Sequence, residues 1–191
     1  MDSDTRATLI EIATNQVRRQ GYADFSYADL ALEAEIRKPS IHHHFPTKED
    51  LGVAIVTAYT ERFSERLDDV EARYRTATER LRAYGQLYRE ALKEGHGCLC
   101  GVLAAEHAVL PKTVQAAVRY FFRLQLRWLE RVLGGGVSEG SLRDDLDPRR
   151  DARTILATVQ GALAMALVLK DAASFDQALA GQLARLNSRT A

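Results

Sequence analysis

The sequence predicts an all-α protein. Apolar residues recur at helical spacing through almost the whole chain, no segment alternates with the period of a strand over a useful length, and capping patterns and prolines fall where helices should start. At 191 residues the chain is one ordinary domain, or a small module joined to a larger one. Its 46% apolar content can bury a real core, and 26 basic residues balance 26 acidic ones, so no bulk field advertises a polyanionic partner. The N-terminus lacks a secretory apolar region, and no apolar run approaches the roughly 20 residues of a membrane span. Cys98 and Cys100 stand too close for an ordinary disulfide and suit a reducing compartment. A soluble, cytoplasmic protein without membrane contact is expected.

The elements follow in order. Residues 4–20 place Leu9, Ile10, Ala13 and Val17 on one face, and Gly21 is a natural stop. Ser26 reads as an N-cap with Asp29 three residues on, and Phe25 is placed to staple against Leu30, which predicts a helix over 27–34. A second short helix, 38–44, tolerates Pro39 in its first turn and stops before Pro46. Thr47 and Asp50 repeat the capping pattern and open a long helix to about Tyr74. Further helices are predicted at about 76–94, 99–109, 111–133, 148–170 and 174–187, with GGGVSEG (134–140) as the one obvious flexible loop.

Two short helices joined by a tight turn, with a third packed across them, make a helix-turn-helix. Residues 3–63, carrying RATLIEIATNQVRRQGYADFSYADLALEAEIRKPSIHHHFPTKEDL, resemble the DNA-binding domain of the TetR family of bacterial transcriptional regulators (AcrR-type). The amphipathic first helix, the Gly-Tyr step, the capped second helix and the His-Phe-x-x-Lys-Glu-x-Leu signature carry the resemblance, with the motif at about 26–45. Two positions depart from the family pattern: Glu35 stands where glycine is frequent in the turn, and His42 stands in the usual tyrosine place.

The resemblance implies a homodimer on a palindromic double-stranded DNA operator, usually as a repressor. Three adjacent imidazoles on a helix fan out by about 100° per step and cannot converge on one ion, so no metal is expected at His42, His43 and His44. His44 and Phe45 read as structural, and His42 and His43 as facing DNA. Arg37 and Lys38, at the head of the second short helix, are candidates for paired hydrogen bonds to guanine. Ser40 follows them outward. Lys48, Ser26 and Tyr27, at capped helix starts, are candidates for phosphate contacts. Residues 1–50 hold six Lys/Arg against nine Asp/Glu, so any preference for DNA comes from the local cluster between Arg37 and Lys48.

Residues 64–191 are expected to bind an effector and to dimerise. The helix DARTILATVQGALAMALVLK is rich in Ala and Gly, so a partner helix can approach it closely. With 174–187 it forms half of a four-helix interface, as the family architecture implies. Tyr59, Phe63, Tyr84, Tyr88, Phe121 and Trp128 are candidates to line an apolar effector pocket, which the family fold also implies. Cys98 precedes a helix and has His96 two residues away. The pattern Gly-Cys-x-x-x-x-x-Ala-x-Glu resembles a branch of the family with members that respond to electrophiles or oxidants. Cys98 is therefore read as a packing residue, a sensor thiol, or part of a metal site with His96, Cys100 and His107, and the helix that follows argues against the last.

An enzyme is the rival class, for instance a thiol-dependent one using Cys98 and His96. The chain holds no phosphate-binding glycine loop, no nucleophile elbow and no helical His-Glu-x-x-His, so a non-enzymatic regulator without cofactor is expected.

Overall fold

In the computed structural model, which describes residues 2–187 (side chains from residue 4), the chain folds into helices. These are α1 (Asp2–Asp24), α2 (Tyr27–Glu33), α3 (Lys38–His44), α4 (Lys48–Arg73), α5 (Ala77–Lys93), α6 (Leu99–Ala105), α7 (Lys112–Ser138), α8 (Pro148–Leu169) and α9 (Ala172–Ala184). Beyond these, an isolated antiparallel bridge joins Leu142 and Asn187.

Two compact units divide the chain. One comprises the residues up to Arg62 together with Leu99–Phe121; the other comprises Phe63–Cys98 and the residues from Phe122 onward. The segment 99–121, which the sequence groups with the second domain, thus lies in space with the helix-turn-helix. The first unit is held by a core of Leu9, Val17, Phe25, Leu30, Ile41, Phe45, Leu51, Leu99, Leu103 and Val114, all buried. The second packs α8 against α9 and both against α5, around Leu81, Tyr84, Leu129, Val159 and Phe175. Glycine sets the closest approach there: a Cβ on Gly85 of α5 would lie 2.2 Å from a methyl of Leu179 on α9.

The helix starts follow the local chemistry. Thr76 and Glu79 form a reciprocal capping box at α5, and Asp147 caps α8 ahead of Pro148. Two boundaries and one reading of apolar length depart from expectation. Gly134–Ser138 is not a loop but the last part of α7; the chain then turns at Gly140 (φ 71°), and the Ser141 amide donates back to the Gly136 carbonyl. A Cβ on Gly136 would meet Ala77 at 2.5 Å and Leu142 at 2.6 Å, so this glycine serves close packing rather than a turn. Helix α6 is shorter than predicted, because the chain turns between Glu106 and Pro111.

The third departure concerns apolar length. Among the described residues one helix, α8, is long and apolar enough to cross a membrane by length and composition, with 33% of its most apolar window buried. Its threonines and Gln160 interrupt any consecutive apolar run, yet all its charges fall at or before Arg153.

Candidate nucleic-acid interface

The turn between α2 and α3 is closed by a left-handed residue. The Ile36 amide donates to the Ala31 carbonyl at 3.1 Å and the Glu35 amide to Leu32 at 3.3 Å, with Glu35 itself at φ 53°. That conformation explains why a glycine suits this position, and glutamate pays a steric penalty of roughly 1–2 kcal/mol there. Arg37 then takes extended geometry (φ −83°, ψ 145°) and α3 begins with Pro39 in its first turn.

Ile41 is fully buried and pins α3 to the motif. Arg37, Lys38, Ser40, His42 and His43 are exposed, while His44 is half-buried and Phe45 buried. Neither the Arg37 nor the Lys38 side chain has a hydrogen-bond or ion-pair partner among the described residues. The His42 ring lies 4.9 Å from that of Tyr27, and its Nδ1 is 3.1 Å from the Pro46 carbonyl oxygen. A carbonyl only accepts, so Nδ1 carries the proton and Nε2 of a neutral ring is the remaining acceptor. Among the described residues no group of three His, Cys, Asp or Glu side chains is arranged to hold a metal ion.

The three candidates for phosphate contacts each have partners within the protein as well. The Ser26 hydroxyl accepts from the Asp29 amide at 3.3 Å and donates to its carboxylate at 2.6 Å, capping α2. The Tyr27 hydroxyl lies 2.6 Å from the Thr47 carbonyl and 2.9 Å from that of Phe45, bracing α2 against the α3–α4 turn. Lys48 donates from Nζ to the Ala23 carbonyl at 3.1 Å and sits over the rings of Tyr22 and Phe25, at 4.8 and 5.6 Å. Burial lowers the Lys48 pKa, opposed by Glu106 and Asp24. The sequence placed these three at the right helix ends but could not see that inward partners lay within reach.

Sequence reasoning missed Glu106. Its carboxylate accepts from the backbone amides of Tyr22 at 2.7 Å and Ala23 at 3.2 Å, just after Gly21 breaks α1 with φ 86° and ψ 167°. The Glu106 carboxylate, the 22–23 backbone and Lys48 thus form one chain from the end of α6 through α1 to the start of α4. The only sequence signal was the Ala-x-Glu of the pattern around Cys98.

Burial raises the pKa of both hydroxyls in this frame, Tyr22 and Tyr27, to about 12; Glu49 adds to the first, and Asp50 then Tyr22 to the second. An acid whose folded pKa is raised stabilises fully below its unfolded value, here 10.0, and that stability is lost as pH rises towards 12. Chemical denaturation between pH 8 and 11.5 is expected to show a decline above pH 10 that is shallower in Tyr27→Phe. Parallel profiles for the two proteins would remove Tyr27 from the brace.

Two family models match the chain: the one described as "Bacterial regulatory proteins, tetR family" over residues 9–55, and "Tetracyclin repressor-like, C-terminal domain" over 77–181. A crystal structure of a TetR-family transcriptional regulator from Agrobacterium tumefaciens superposes with a TM-score of 0.95 at 34% identity, covering 98% of this chain and 100% of that one. The chain belongs to the TetR family. Similar proteins include the HTH-type transcriptional repressor DhaR of Mycobacterium sp. (strain GP1), 27% identical across 91% of this chain and 88% of that protein. The HTH-type transcriptional repressor NemR of Escherichia coli (strain K12) is 28% identical across 94% and 92%.

This TetR-family member is a DNA-binding transcription regulator, with α2 and α3 as its helix-turn-helix. Several of the aromatic candidates for an effector pocket pack against one another as ring pairs within each unit. Tyr59 and Phe121 meet in the first unit, with ring centroids 5.4 Å apart. Phe63, Tyr84, Tyr88 and Trp128 cluster in the second. Cys98 is 3% exposed and Cys100 fully buried, which favours packing roles for both thiols.

Proposed function

We propose that this TetR-family regulator is a homodimeric repressor that reads a palindromic operator with α3 and leaves it when a small apolar molecule binds the second domain. Residues 3–63 carry DNA binding, and 64–191 carry dimerisation and effector binding. The single observation that carries the DNA reading is the outer face of α3. Arg37, Lys38, Ser40, His42 and His43 are exposed there, and the two cations are engaged by nothing else among the described residues. Such cations at the head of a recognition helix suit guanine edges, with Ser40 and the imidazoles beside them. Ser26, Tyr27 and Lys48 act by holding the motif in shape. The sign of regulation follows DhaR and NemR, which are repressors by name. A protein that controls transcription in this way works in the cytoplasm.

Dimerisation rests on the outer faces of α8 and α9. Met165, Val168 and Leu169 are exposed on α8. Gly161 in α8 and Gly181 in α9 are exposed mid-helix, and a Cβ at either would meet nothing within 4 Å. Glycine inside a helix costs roughly 0.5–1 kcal/mol relative to alanine, and the protomer offers no reason for that cost. Close approach of a second copy supplies one.

The test is a footprint on DNA from upstream of the protein's own gene, followed by binding to every single-base variant of the protected half-site. Arg37→Ala and Lys38→Ala are expected to relax preference at particular base pairs by roughly 1–3 kcal/mol each. Lys48→Ala is expected to lower affinity evenly, through loss of fold stability. A uniform loss in Arg37→Ala and Lys38→Ala alike would remove α3 from base reading.

A further inference from the structure

The second unit encloses a polar cluster in an aromatic setting. On α5, Tyr84 and Tyr88 are one turn apart and both donate to Oε1 of Gln125 on α7, Tyr84 at 2.7 Å. Gln160 of α8 donates from Nε2 to the Tyr88 hydroxyl at 3.3 Å. Phe63 stands edge-on to both tyrosines, and the Trp128 ring stacks on that of Tyr84 with centroids 5.5 Å apart. Gln125 is fully buried and Trp128 is 2% exposed.

The hydrogen-bond inventory is lopsided. Both tyrosine protons and the Gln125 carbonyl oxygen are engaged. What lacks a partner is all donor: Gln125 Nε2 and Trp128 Nε1 are buried with none. An amide nitrogen carries two N–H groups and an indole one. The two residues are three apart on α7, so they lie on one face of that helix. Buried donors without acceptors are rare and destabilising, and an apolar pair of the same shape would pack there without that penalty. The cluster itself supplies no cation. Tyr84 is fully buried and its pKa is pushed upward, chiefly by burial, so it offers no charge either. An anion would be buried there unpaired.

We infer that this cluster is the recognition point for the effector, and that it selects a neutral, aromatic or otherwise apolar molecule carrying a hydrogen-bond-accepting oxygen such as a ketone. The oxygen takes the N–H groups of Gln125 and Trp128, and the body lies among Phe63, Tyr84 and Tyr88, where aromatic surfaces favour a flat partner. The inference rests on the effector reading above, but its test needs no DNA.

Trp128 is the only tryptophan in the chain, so a 15N-labelled full-length protein gives one indole N–H signal. It is titrated with 2-acetylnaphthalene and, as the shape-matched control without an acceptor, 2-ethylnaphthalene. The ketone is expected to bind with at least tenfold lower Kd and to move the indole proton downfield at saturation, a shift the hydrocarbon does not produce. In Gln125→Met the ratio of the two Kd values is expected to fall below about threefold. Trp128→Phe, followed by thermal shift of the helical signal, gives a second measure of that ratio if the first variant folds poorly. Equal affinities for the two probes, no saturable binding of either, or a preference that survives both substitutions overturns the assignment. Any of these leaves the operator footprint standing. A missing footprint, with ketone preference intact, would instead count against the regulatory reading and not against this site.

Discussion

Gly21→Ala is expected to produce a large loss of stability, roughly 3 kcal/mol or more in urea denaturation. Two effects add. The backbone at φ 86°, ψ 167° lies in a region that is essentially glycine-only, and forcing another residue there costs about 1–3 kcal/mol. A Cβ at this place would also stand 2.0 Å from Glu106 Oε1, which drives the carboxylate off the Tyr22 and Ala23 amides. Hydrogen bonds to a charged group contribute about 1.5–3 kcal/mol. Glu106→Gln, which keeps one acceptor oxygen, should lose about half as much. Operator affinity should fall with both, because the same strap holds α1 against the Lys48 end of α4. A Gly21→Ala protein within 0.5 kcal/mol of the wild type, by the criterion that surface changes away from special sites stay that small, would mean that the strap does not hold the unit together.

Gly161→Glu should have the largest effect on function. The site has open space around a Cβ within the protomer, so the helix should tolerate a side chain and keep its far-ultraviolet signal. At an interface between two copies, the same side chain would bring like charges together across the two-fold axis and prop the helices apart. Sedimentation is expected to show a monomer at micromolar concentration. Operator affinity should drop by at least about 100-fold, since linked engagement of two half-sites typically contributes 10²–10⁴. Gly161→Ala should dimerise nearly as well as the wild type. A dimer that persists in Gly161→Glu would place the interface elsewhere.

Much of the reading head was legible because its determinants are short-range. Thr47 and Asp50 form the full reciprocal cap, with amide-to-side-chain distances of 3.0 and 3.1 Å, and both partners lie within three residues. Helix α3 occupies 38–44 as Pro39 and Pro46 require. The same local logic misread the glycine triplet. Three glycines weaken a helix in isolation, but Gly136 sits against Ala77, 59 positions earlier, and packing overrode propensity. Gln125 was also within reach. It falls four residues after the buried Phe121 and three before the buried Trp128, so a polar residue in an otherwise apolar stripe marked it.

The caps, the helical periods and the motif spacing were decided by the sequence, since each depends on groups within about four residues of one another. Only the tertiary structure decided where side chains spend their polar groups. Lys48 turns to a carbonyl 25 positions away, Glu106 to amides 83 and 84 positions away, and Tyr84 to a glutamine 41 positions away. Those pairings come from packing helices together, and a buried polar group must find its partner among whatever that packing brings near. The leftover donors on Gln125 and Trp128 are visible only after that accounting is complete.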